Sequence, residues 1–161
     1  MIYKEEKRDL FTLPSEYMLA HCISADYALG AGIAKIFRDR LKVKDSLLNL
    51  NKNSWDGKGR CEIVRVQNTS GEMVYVANLI TKSRYFHKPT YESLEESLTD
   101  MSRKLAQDYP EVKKIGMPLI GCGLDRLQWD RVSEIIKMVF EKTNYEIIVC
   151  YLSQRESTPV P

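Results

Sequence analysis

The chain has 161 residues, of which 43% are hydrophobic and 29% charged, with a formal net charge of +2. This is the size and composition of one globular domain, large enough to bury about 70% of its unfolded surface without a covalent staple. The charge is too small to argue on its own for an electrostatic nucleic-acid binder, and no apolar run approaches the about 20 residues that cross a bilayer. The N-terminus MIYKEEKRDLF is charged where a signal peptide would be apolar. Cys22, Cys61, Cys122 and Cys150 fit no zinc spacing, and His21 and His87 are the two histidines. A His-rich metal site is therefore excluded, no cofactor is called for, and free thiols suit a reducing compartment, cytoplasmic or, in a eukaryote, nuclear.

The predicted elements follow in chain order. Residues 17–23 form a short apolar strand. A glycine-rich turn then leads into a helix over 31–41. Residues 61–66 alternate, with Val64 and Val66 on one face and Ile63 and Arg65 on the other. The run 73–81 (MVYVANLIT) is apolar and β-branched, and the intervening turn Asn68-Thr-Ser-Gly71 predicts a hairpin. Tyr91, Leu94, Leu98, Met101 and Leu105 recur at helical spacing, with Thr90 as cap, Glu92 in the first turn and Pro110 as stop. Residues 114–119 and 145–152 are strands that each follow a helix, the second helix being marked by Val132, Ile135, Ile136, Val139 and Phe140. Helices alternating with strands around a hairpin predict an α/β fold with helices on both faces of a mixed sheet. The polar segment 153–161 (SQRESTPVP) is expected to be a flexible tail.

In such folds ligands sit beyond the carboxyl ends of strands. Three loops qualify. The first, Ser24 to Ala34, carries Gly30-Ala31-Gly32 into a helix; it is either a plain turn or an anion cradle at a helix N-terminus. Lys35 stands where a dinucleotide fingerprint needs its third glycine, so that reading fails. The second, Gly121-Cys122-Gly123-Leu124-Asp125, is either a tight strand-to-helix connection or an anion-binding nest. Together the two loops could grip both phosphates of a diphosphate. The third, from Thr81 to Tyr91, is either a solvated basic loop or a site in which Lys82 points into the cleft. Its neighbours Arg84 and Lys88 would there favour a neutral, nucleophilic amine. Asp9 reads as a turn aspartate or as an acceptor for an adenine amino group. Cys122 reads as a small spacer, and His21, between Ala20 and Cys22, as a satisfied core histidine.

These loops, in this order, resemble the macrodomain family, and within it the terminal ADP-ribose protein glycohydrolase subgroup. The matching blocks are Asp9-Leu10-Phe11, LAHCIS with GAGIA, LITK with HKPTYESL, and IGCGLDRLQW, within residues 2 to about 152. The resemblance implies a three-layer α/β/α macrodomain over 1–152, with a central mixed β-sheet, that binds ADP-ribose. It implies that Lys82 (nucleophile) and Asp125 (acid/base) remove ADP-ribose from acidic protein side chains or from nucleic-acid bases. The implied ligand contacts are Asp9, Leu10, Ser24, Gly30, Ala31, Gly32, Ile33, Ala34, Thr81, Pro118, Ile120, Gly121, Cys122, Gly123, Leu124 and Leu152. A non-catalytic reader, an ADP-ribose-1″-phosphate phosphatase and an O-acetyl-ADP-ribose deacetylase are the alternatives. A monomer is expected. Arg8 departs from the family's frequent glycine and would place a side chain or positive charge at the adenine edge. The segment 54–60 looks lengthened, and Leu119 stands where relatives can carry a basic residue.

Overall fold

The computed structural model describes residues 1–152, so the expected tail lies outside the described residues. The chain runs β1 (Ile2–Lys7), a 3-10 turn (Leu10–Thr12), β2 (Tyr17–Ser24), α1 (Gly32–Leu41), α2 (Val43–Leu50), β3 (Arg60–Gln67), β4 (Met73–Lys82), α3 (Tyr91–Asp108), β5 (Lys114–Met117), α4 (Trp129–Phe140) and β6 (Glu146–Tyr151). One six-stranded sheet has the order β1-β6-β5-β2-β4-β3. All neighbouring pairs are parallel except β3–β4, the expected hairpin. At its turn the Asn68 carboxamide accepts from the Ser70 and Glu72 amides, and Gly71 takes the positive φ of 86° that such a reversal needs.

Side-chain alternation sorts the strands between two cores. On one face Met18, Ala20, Ile147 and Val149 pack with Leu94, Leu98, Met101 and Leu105 of α3 and Val132, Ile136 and Phe140 of α4. On the other, Tyr17, Leu19, Ile23, Ile148 and Cys150 pack with Phe37 and Leu41 of α1 and Val43 and Leu47 of α2. The result is the three-layer α/β/α arrangement. Helix α3 starts where its cap predicted: Thr90 Oγ1 accepts from the Ser93 amide at 2.9 Å, and Ser93 Oγ accepts from the Thr90 amide at 3.0 Å.

The structure adds three elements to those read from the sequence, β1, the 3-10 turn and α2. Strand β1 is the sheet's edge, and its half-exposed, charged run IYKEEK carries no apolar alternation. Helix α2 has eight residues, follows an N-cap, Lys42, in the left-handed region and has no side-chain cap bond, so neither length nor cap marks it. The strand expected over 114–119 pairs only to Met117, and the chain then turns at Pro118, whose carbonyl accepts from the Ile120 amide.

Candidate active site

The five parallel strands end at one edge of the sheet, which gathers the Asp9 turn, the β2–α1 loop, the end of β4, the β5–α4 loop and Leu152. Chain connections leave β2 and β5 in opposite directions: β2 feeds α1 and α2 towards β3, whereas β5 feeds α4 towards β6. Adjacent parallel strands that diverge in this way open a crevice between their loops. Here the walls are the two glycine loops. They lie close, since a Cβ placed on Gly32 would sit 3.6 Å from Leu124 Cδ1.

The first wall begins with a β-bulge at Ile23/Ser24, where the β2–β4 register shifts beside Lys82. Asp26 organises the loop. Its Oδ1 accepts from Ser24 Oγ at 2.5 Å and from the Ala28 amide at 3.2 Å, and its Oδ2 accepts from the Tyr85 amide at 3.0 Å. Burial alone would raise the Asp26 pKa, but these bonds and the nearby Arg84 guanidinium hold it below the usual carboxylate range. Helix α1 then opens with Ala31 as N-cap, no side-chain cap bond and no acidic residue in its first turn. No side-chain oxygen caps its first amides, an arrangement suited to a phosphate.

The second wall is closed by the Leu127 amide, which donates to Gly121 O at 2.8 Å, and the Arg126 amide, which donates to Gly123 O at 3.2 Å. Gly121 has φ 73°, and a Cβ on it would meet Leu127 Cδ1 at 3.0 Å. Cys122 is buried, and burial, followed by the Asp125 charge, pushes its thiol up to about 12. A thiol so held is protonated at neutral pH, which suits the spacer reading. Ile120 is buried beside it, while Leu124 is exposed.

Lys82 and Asp125 meet across the crevice. Lys82 Nζ donates to Asp125 Oδ1 at 2.6 Å, with both side chains largely shielded from solvent. The charged partner of Lys82 is thus a carboxylate, whereas the sequence pointed to the cations Arg84 and Lys88. Of those cations, Lys88 donates through Nζ to Leu124 O at 2.6 Å, and Arg84 lies near Asp26. Thr81, next to Lys82, is buried with its hydroxyl unpartnered among the described residues.

No family model matches the chain. A curated human relative, ADP-ribose glycohydrolase OARD1, is 45% identical over 143 residues, 89% of this chain and 87% of that protein. This chain belongs to the macrodomain family, among the proteins of the terminal ADP-ribose glycohydrolase type. The macrodomain of Mycobacterium tuberculosis DarG superposes with TM-score 0.79 at 18% identity, covering 94% of this chain and 99% of that one. Thermosipho africanus DarTG, solved in complex with ADP-ribose, superposes with TM-score 0.74 at 18% identity, covering 96% of this chain and 43% of that one. Both likenesses bear on the macrodomain fold.

The remaining residues expected around this macrodomain's crevice differ in what they expose. Asp9 caps the 3-10 turn, its Oδ1 accepting from the Phe11 amide at 3.0 Å. Leu10 is buried in the core, whereas Leu152 is exposed. Arg8 does not project as a free charge: its Nε and Nη2 donate to Thr12 Oγ1 and Thr12 O, and Nη1 lies 3.8 Å from Glu6. The segment 54–60 is tied down by Arg60, which donates to the carbonyls of Ser54 and Lys52. Sequence reasoning missed Asp26 and the Lys88–Leu124 tie. Asp26 left a usable signal, an aspartate two residues before Ala28 in a glycine-containing loop, the spacing of an Asx-turn. The Lys88 tie left none, because it joins residues 36 positions apart.

Proposed function

We propose that this macrodomain is an ADP-ribose glycohydrolase that releases ADP-ribose from modified acceptors, acting as a monomer in a reducing compartment. The observation that carries the reading is the shielded Lys82–Asp125 contact of 2.6 Å at the crevice between the two glycine loops. A reader needs only the loops; a juxtaposed amine and carboxylate add a nucleophile and a proton carrier. The glycohydrolase name of the human relative, and the ADP-ribose bound in the DarTG structure, support the same choice.

The diphosphate docks between the uncapped start of α1 and the Gly121–Leu124 loop, the adenine end lies towards Asp9, and the distal ribose lies over Lys82. Asp125 takes a proton from the Lys82 ammonium. The freed amine attacks the anomeric carbon of the distal ribose as the bond from that carbon to the acceptor oxygen breaks. Asp125 returns the proton to the departing acceptor. Water then adds at the same carbon, the carbon–nitrogen bond breaks, and ADP-ribose leaves with the lysine restored. Acidic protein side chains are good leaving groups for this sequence of steps.

The test is release of ADP-ribose from a protein modified on acidic side chains. Lys82→Ala and Asp125→Ala should each lower release by about 100-fold or more, the usual scale for losing a positioned acid/base group. Calorimetry should show ADP-ribose binding within about threefold of the unsubstituted protein. Full release by Lys82→Ala would sink the covalent role.

A further inference from the structure

Two large aromatic side chains stand out beside the site. Tyr85 and Phe86 are 66% and 65% exposed, although they lie only three and four residues beyond Lys82. Their rings meet edge to face at 5.3 Å, and Phe86 meets His87 at 4.6 Å. The backbone beneath them is anchored. The Tyr85 amide donates to Asp26 on one wall of the crevice, and Lys88 Nζ donates to Leu124 O on the other. Between these ties the His87 amide closes a turn onto Arg84 O at 3.0 Å, and the Arg84 amide donates to His87 Nδ1 at 3.3 Å. A single exposed aromatic residue is ordinary; two on a loop tied to both walls of a site form a presented apolar surface. Leu124, 63% exposed, lies on the wall to which Lys88 is tied.

We propose that Tyr85 and Phe86, with Leu124, form the acceptor-side dock of the enzyme, which holds the polypeptide carrying the ADP-ribosylated side chain. The inference rests on the glycohydrolase reading above, because the acceptor leaves from the ribose carbon beside Lys82. A polypeptide fits better than a nucleic-acid strand. Strand binding draws its affinity from lysines and arginines free to contact phosphates. Here Lys82 is paired with Asp125 and Lys88 with a carbonyl, so two of the loop's three lysines and arginines are already committed. What the loop chiefly presents is apolar ring surface, the material of protein–protein anchors.

The experiment compares the unsubstituted protein with the Tyr85→Ala/Phe86→Ala double variant on three substrates. These are a protein ADP-ribosylated on acidic side chains, O-acetyl-ADP-ribose, whose acceptor is only an acetyl group, and an ADP-ribosylated single-stranded oligonucleotide. KM for the modified protein should rise about tenfold with kcat nearly unchanged, the loss expected of one anchor. Turnover of O-acetyl-ADP-ribose, and affinity for free ADP-ribose, should stay within about twofold. An unchanged KM on the protein overturns the dock, as does an equal loss on O-acetyl-ADP-ribose or a loss confined to the oligonucleotide. If the unsubstituted protein turns over none of the three, the hydrolase reading fails. The dock is then judged by Kd alone: the double variant must weaken binding of the modified protein but not of free ADP-ribose.

Discussion

His21 has one ring nitrogen satisfied and one bare. Its ring stacks on Phe37 at 3.8 Å, and Nε2 lies 2.6 Å from Asn78 Oδ1. Asn78 uses its amide nitrogen to donate to the carbonyls of Glu62 and Val76, so its oxygen is the acceptor and His21 Nε2 carries the hydrogen. Nδ1 is buried with no partner among the described residues. The sequence placed His21 in the core correctly, but only half of the ring is satisfied. Burial lowers its pKa to about 4, against a bond to Asn78 that acts the other way. The unfolded chain therefore binds a proton near pH 6.5 that the folded chain refuses until about pH 4. Stability from this residue is complete above pH 6.5 and is lost as pH falls between those values, by roughly 3 kcal/mol in total. Urea unfolding at pH 7 and pH 4.5 should show this slope, and His21→Gln, which keeps a donor for Asn78, should flatten it. An equal slope in the variant would move the effect to other groups.

The two glycine loops separate into residues needed by the fold and residues left open. Gly32 and Gly121 have φ of 59° and 73°, so their glycines answer to backbone conformation. Gly30 and Gly123 have no such φ, and a Cβ on either would meet nothing within 4 Å. Neither turn geometry nor packing calls for glycine there, so a role in binding is open to test at both positions. Gly30→Val and Gly123→Val should each weaken ADP-ribose binding at least about tenfold while changing stability by only about 0.5 kcal/mol, the range of surface substitutions. Gly121→Ala should instead destabilise by about 1–3 kcal/mol through strain and crowding against Leu127. Calorimetry paired with urea titration reads both effects, and tight ADP-ribose binding by Gly30→Val would return the first loop to a plain turn.

Over the whole molecule, the proposed site spans the carboxyl edge of five strands from Asp9 to Lys82, four inter-strand spacings or roughly 19 Å. A ligand that bridges so many elements stabilises the folded state as a unit. ADP-ribose at about 100 times its Kd should add about 2.7 kcal/mol, raising Tm by about 5–10 °C, and Lys82→Ala should keep most of that shift. No shift in either protein would contradict ADP-ribose binding at this edge. The sequence by itself determined the helical face of α3 and its Thr90 cap, the β3–β4 hairpin and the alternation of β3, because each is written in local periodicity or turn chemistry. Helix α2 and strand β1 escaped it, since one lacks a cap and the other has an edge strand's mixed polarity. Only the tertiary structure decided who faces whom. Lys82 and Asp125 are 43 residues apart, and the parallel pairing of β5, β2 and β4 is what sets their loops side by side. The same pairing gave Lys82 a carboxylate for a partner, while Lys88 is held by the Leu124 carbonyl. Charge pairing across loops depends on distances that no local pattern encodes.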